Sequence, residues 1–97
     1  MTPTEEILKK LKGIKPEAKK RYRVKEIGLF GSFVRSEQIE TSDIDILVEF
    51  EEKADLFDLV GLALFLEEKL KRKVDVVPKA ALRDELKGYI LQEAVYA

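Results

Sequence analysis

The sequence predicts one small α+β domain over residues 1–97, with a short mixed sheet and helices packed mainly on one of its faces. Strand-length apolar runs stand at 25–30, 44–50 and 73–77. Segments with helical apolar spacing precede, separate and follow them. No internal repeat, Pro/Gly-rich linker or low-complexity stretch divides the chain.

Each element follows from local chemistry. Thr2 caps a first helix, Pro3 suits its first position and Glu5 closes a capping box. Ile7, Leu8, Leu11 and Ile14 then recur at helical spacing. Gly13 is expected to end or loosen that helix, and Pro16-Glu17 can start a second, short one through Tyr22. Lys25 to Phe30 is a strand, broken by Gly31-Ser32; a turn of helix at Phe33–Arg35 and a polar loop from Ser36 to Ser42 follow. In the next strand Ile44, Ile46, Val48 and Phe50 share one face, with Asp43, Asp45 and Leu47 on the other. Asp55 caps a helix to about Lys71, with Leu56, Leu59, Val60, Ala63, Leu66 and Leu70 as its apolar stripe. Lys73 to Val77 is a third strand, stopped by Pro78. Leu82, Leu86 and Ile90 define a last helix that can extend to Leu91 and Val95, interrupted but not necessarily broken by Gly88.

Composition narrows the chemistry. The chain has no histidine and no cysteine, which removes imidazole bases, zinc sites built on His or Cys, and disulfides. Catalysis must rest on carboxylates, Lys/Arg, hydroxyls or a hard metal. With 18 basic and 19 acidic residues the net charge is −1, so no strong nucleic-acid binding is expected. The basic cluster Lys19, Lys20, Arg21, Arg23 and Lys25 reads as a solvated helix face. No secretory signal opens the sequence, and the longest apolar run, Leu59 to Leu66, is too short to cross a bilayer. The expectation is a cytoplasmic protein with no membrane contact.

Three acids stand out. In a strand, Asp43 and Asp45 project to the same side, their Cα atoms about 6.6 Å apart. They interrupt an otherwise apolar run and would repel one another without a cation. Asp75 lies inside Val74-Asp75-Val76-Val77, where a lone acid is costly. If the second and third strands pair, Asp75 stands beside the other two. Hard oxygen ligands select Mg²⁺ or Mn²⁺, and two such ions can clamp a phosphoryl displacement. Upstream, Gly31 permits a close backbone approach or positive φ, and free N–H groups after Ser32 would point at an anion. The Ser32 hydroxyl can donate, and Arg35 can reach phosphate oxygens. Alone, Gly-Ser after a strand is a common turn; its meaning comes from the acids downstream.

The run from Leu29-Phe30-Gly31-Ser32-Phe33-Val34-Arg35 to Ser42-Asp43-Ile44-Asp45-Ile46-Leu47-Val48 resembles the DNA polymerase β-type nucleotidyltransferase superfamily, in its minimal nucleotidyltransferase branch. Arg72-Lys73-Val74-Asp75-Val76-Val77 and Ile90-Leu91-Gln92-Glu93-Ala94-Val95-Tyr96 fit that branch as well. The resemblance implies that ATP and Mg²⁺ are bound and a nucleoside monophosphate is transferred to a hydroxyl, with release of pyrophosphate. It implies that Gly31 and Ser32 hold the triphosphate, that Asp43 and Asp45 ligate two metal ions, and that Asp75 ligates the catalytic metal and helps activate the acceptor. Many members are antitoxins paired with a HEPN-domain ribonuclease toxin, which they silence by adenylylating a tyrosine, by binding, or both. A small-molecule acceptor is the further alternative. One departure is visible: Ser36 stands where the family often has glycine after the arginine.

Overall fold

The computed structural model describes residues 2–39 and 42–97. Helix α1 runs Pro3–Tyr22, strand β1 Val24–Phe30, strand β2 Ile44–Phe50, helix α2 Leu56–Leu70, strand β3 Val74–Pro78, helix α3 Asp84–Glu93 and strand β4 Val95–Tyr96. Short 3-10 turns at Gly31–Phe33 and Lys79–Ala81 follow β1 and β3. The strands lie in the order β3-β2-β1-β4. β1 is antiparallel to both its neighbours and β2 is parallel to β3, so the sheet is mixed, as expected.

Alternation sets the two faces. Ile27 and Leu29 of β1 and Ile44, Ile46 and Val48 of β2 are buried in one cluster with Leu11 and Ala18 of α1 and Leu62, Leu66 and Leu70 of α2. Apolar burial on this scale is the dominant favourable term in folding. Asp45 and Leu47, one residue out of phase, belong to the opposite face. α3 and the segment before it lie over part of that face, leaving a half-open cleft. Among the described residues no helix is long and apolar enough to cross a membrane.

The structure departs from the sequence expectations in its three helices. α1 is continuous through Gly13 and Pro16. Pro16 removes a helical N–H, which costs about 3 kcal/mol in a helix interior. Burial of Ile7, Leu11 and Ala18 on both sides of it, with Gly13 and Pro16 on the exposed side, offsets that loss. In α2 the buried stripe is Leu62, Phe65, Leu66 and Leu70, whereas Leu56 and Val60 face outward. The first half of α2 is apolar nearly all round, so periodicity alone does not select its inner face. Asp55 does cap α2, in a reciprocal capping box with Asp58.

The last helix begins later than expected and does not take the optional extension to Val95. Leu82 precedes it, and Val95 leaves it for β4. Ala94 turns the chain into extended backbone, Gly28 and Leu29 pair with Tyr96 and Val95, and the Ala97 N–H donates to the Ile27 carbonyl at 2.9 Å. Gly28 is what admits this strand. A Cβ there would lie 3.0 Å from the Val95 carbonyl oxygen and 3.2 Å from the Tyr96 Cα.

Candidate active site

The parallel pairing of β2 with β3 puts Asp45 directly opposite Asp75, while β1 sets Phe30 on the other side of Asp45. The positive φ of Gly31, +78°, then folds the chain back over the sheet edge. The Asp45 carboxylate fills the space a side chain on Gly31 would need: a Cβ would sit 2.1 Å from its Oδ2. The Ser32 backbone N–H acts favourably on the same carboxylate. Gly31, Arg35, Asp45 and Asp75 line one cleft of about 440 Å³, closed on its far side by Leu86 and Ile90. Asp43, exposed at the start of β2, is close enough to act on Asp45 electrostatically.

Burial, followed by the negative charges of Asp75 and Asp43, pushes the Asp45 carboxyl above the ordinary aspartate range. Arg35 and the Ser32 N–H pull the other way without cancelling it. Among the described residues no three acids close around a single point at ligand distance. Mg²⁺ sites of this chemistry use one or two carboxylates plus substrate phosphates, so three converging acids are not required. The all-oxygen donor set and the uncompensated charge at Asp45 fit a hard divalent cation.

At the Gly31-Ser32 turn the amides of Val34 and Arg35, expected after Ser32 to be free for an anion, are not free, and the carboxylate that the Gly31 N–H meets belongs to the chain itself. The Gly31 N–H donates to Glu93 Oε2 at 2.9 Å, while the N–H groups of Val34 and Arg35 both return to the Gly31 carbonyl. Arg35 also turns inward to Glu93, with Nη1 2.7 Å from Oε1, and its Nε lies 3.3 Å from Glu37. Sequence reasoning missed Glu93 as a site residue. Its position in the Ile90–Tyr96 motif was the available signal.

Ser36 adopts φ +58°, the left-handed conformation that costs a side chain about 1–2 kcal/mol. A glycine would adopt this backbone without that cost. Ser36→Gly is expected to stabilise the protein by about 0.5–1 kcal/mol, the relief of strain being partly offset by a more flexible unfolded chain. Urea unfolding checks it: a midpoint unchanged or lowered would contradict the strain.

Comparison with known proteins agrees with this fold. A model of the nucleotidyltransferase domain matches residues 11–97. The chain is 44% identical over 96 residues to the protein adenylyltransferase MntA of Thermococcus cleftensis, covering 99% of this chain and 97% of that protein. A solved structure proposed to be a minimal nucleotidyltransferase superposes with a TM-score of 0.76 at 35% identity, covering 91% of this chain and 93% of the other. A toxin-antitoxin crystallised with AMP-PNP superposes at 0.68 with 26% identity, over 97% of this chain and 71% of that one. Fold and sequence therefore define a nucleotidyltransferase. The chain belongs to the nucleotidyltransferase domain family, among its minimal members.

Proposed function

We propose that the protein transfers AMP from ATP, with Mg²⁺, to a hydroxyl of another protein, a tyrosine of a HEPN-type ribonuclease toxin, and so acts as an antitoxin. The observation that carries this is the pairing of Asp45 with Asp75 beneath the Gly31-Ser32 turn. The adenylyltransferase name of its relative and the MntA-HepT complexes among similar folds support the choice of reaction and partner.

Asp43, Asp45 and Asp75 would hold the cation, which when bound draws charge from the phosphates and the leaving oxygen. The Gly31 and Ser32 amides and Arg35 would hold the triphosphate. Asp75, exposed and lining the cleft, would accept the hydroxyl proton as the acceptor oxygen bonds to the α-phosphorus. The bond from that phosphorus to its bridging oxygen breaks, and pyrophosphate leaves.

The test is incubation with ATP, Mg²⁺ and a purified HEPN toxin, followed by intact mass. One or more AMP-sized additions to the toxin are expected. None, with both proteins folded and in contact, would sink the proposal. Neutralisation by binding alone is the second reading, favoured by the outward-facing Leu56, Phe57, Val60 and Leu64 of α2, an apolar surface open to a protein partner. Asp43→Asn combined with Asp45→Asn separates the two. Catalysis predicts loss of neutralisation with affinity for the toxin retained; full neutralisation by the double variant would favour occlusion.

A further inference from the structure

Two donors suited to a phosphate are already held by one carboxylate. Glu93, the last residue of α3, accepts from the Gly31 N–H with one oxygen and from the Arg35 guanidinium with the other, at 2.9 and 2.7 Å. A phosphate group offers the same two things to the same donors: adjacent oxygens and negative charge. The remaining face of Arg35 is approached by Glu37. A triphosphate arriving at this turn therefore meets donors in use and two like charges. The backbone around Glu93 is fixed on both sides, by α3 before it and by the pairing of β4 with β1 after it. Relief must come from rotation of the glutamate side chain, not from drift of the segment.

We propose that Glu93 is an internal substitute for a nucleotide phosphate. It keeps the Gly31 turn and Arg35 organised in the absence of nucleotide, and it sets nucleotide affinity by competing for both donors. This rests on the reading of the turn as the triphosphate site. Glu93 is thus an affinity-determining residue, displaced when the phosphates bind. A glutamate that only braced the fold would make the same hydrogen bonds but would not oppose the ligand, so the two roles predict opposite effects.

The experiment is calorimetric titration of wild type, Glu93→Gln and Glu93→Ala with AMP-PNP in the presence of Mg²⁺. Glutamine keeps the size and an accepting oxygen but removes the charge. Glu93→Gln is expected to bind about tenfold more tightly than wild type, as loss of one nearby like charge permits. Glu93→Ala is expected to bind more tightly as well, by less, because the turn loses its organising acceptor. Tight wild-type binding that Glu93→Gln leaves unchanged or weakens overturns this inference and leaves the active-site reading standing. If Glu93→Gln does not fold, Glu93→Ala decides by the same comparison. Binding by none of the three overturns the nucleotide site itself, and the inference with it.

Discussion

Asp45→Asn is expected to lower AMP transfer by at least about a thousandfold while making the protein harder to unfold at neutral pH. Under the proposed function, the loss of activity follows from removing an anionic group that would hold the divalent cation and from disturbing positioned charge, where losses of this order are ordinary. The gain in stability follows from the electrostatics. Burial and the charges of Asp75 and Asp43 raise the folded pKa of Asp45 above its unfolded value. Between those two values the folded chain binds more protons than the unfolded one, so stability falls as pH rises. The favourable condition is complete below the unfolded value, near 3.8, and is lost as pH passes the raised folded value. Asparagine keeps an oxygen for the Ser32 N–H but carries no charge, so it escapes this penalty. Thermal unfolding at pH 4 and pH 7 checks the sign: the advantage of the variant should be small at the lower pH and larger at the higher. Added Mg²⁺ should raise the melting temperature of wild type more than that of the variant. A variant less stable than wild type at pH 7, without metal, would contradict the repulsion on which the acidic cluster is argued.

Much of this site is legible in the sequence because it depends on short-range rules. Alternation in Ile44-Asp45-Ile46-Leu47-Val48 separates the core face from the acid, and the structure keeps that separation. The meeting of Asp45 with Asp75 needs only that β2 and β3 pair in a register the apolar pattern favours. The rest depends on partners distant along the chain. β4 is two residues long and has no periodicity to detect; it exists because Gly28 lets it approach. The continuity of α1 through Pro16 is decided by what its buried face contacts, a tertiary effect that local propensity does not contain. Nothing local to the Gly31-Ser32 turn points to the carboxylate it meets: Glu93 is 62 positions away.

The same turn supplies the second large effect. Gly31→Ala is expected to cut transfer more than about a hundredfold while costing only about 1–2 kcal/mol of stability. At φ +78° an alanine is strained by roughly that amount. The new Cβ would also lie 2.1 Å from Asp45 Oδ2 and 2.9 Å from its Cγ, closer than real atoms stand. The obstacle is the end of a short side chain, so the cheapest relief is rotation of the Asp45 carboxylate away from the turn. That rotation limits the damage to the fold and concentrates it in the site. It takes the carboxylate away from the Ser32 N–H and off its position opposite Asp75, and a misplacement of about 1 Å is enough to cost two orders of magnitude. Gly13→Ala is the matched control. Gly13 lies on the exposed side of α1 with nothing within 4 Å of a Cβ, so alanine there should stabilise by up to about 1 kcal/mol and leave transfer unchanged. Denaturant unfolding and the initial rate of AMP incorporation, measured on both variants, separate the two glycines. If Gly31→Ala unfolds early yet transfers AMP at the wild-type rate, then Asp45 does not need the position in which Gly31 holds it, and the chemistry must lie elsewhere on the molecule.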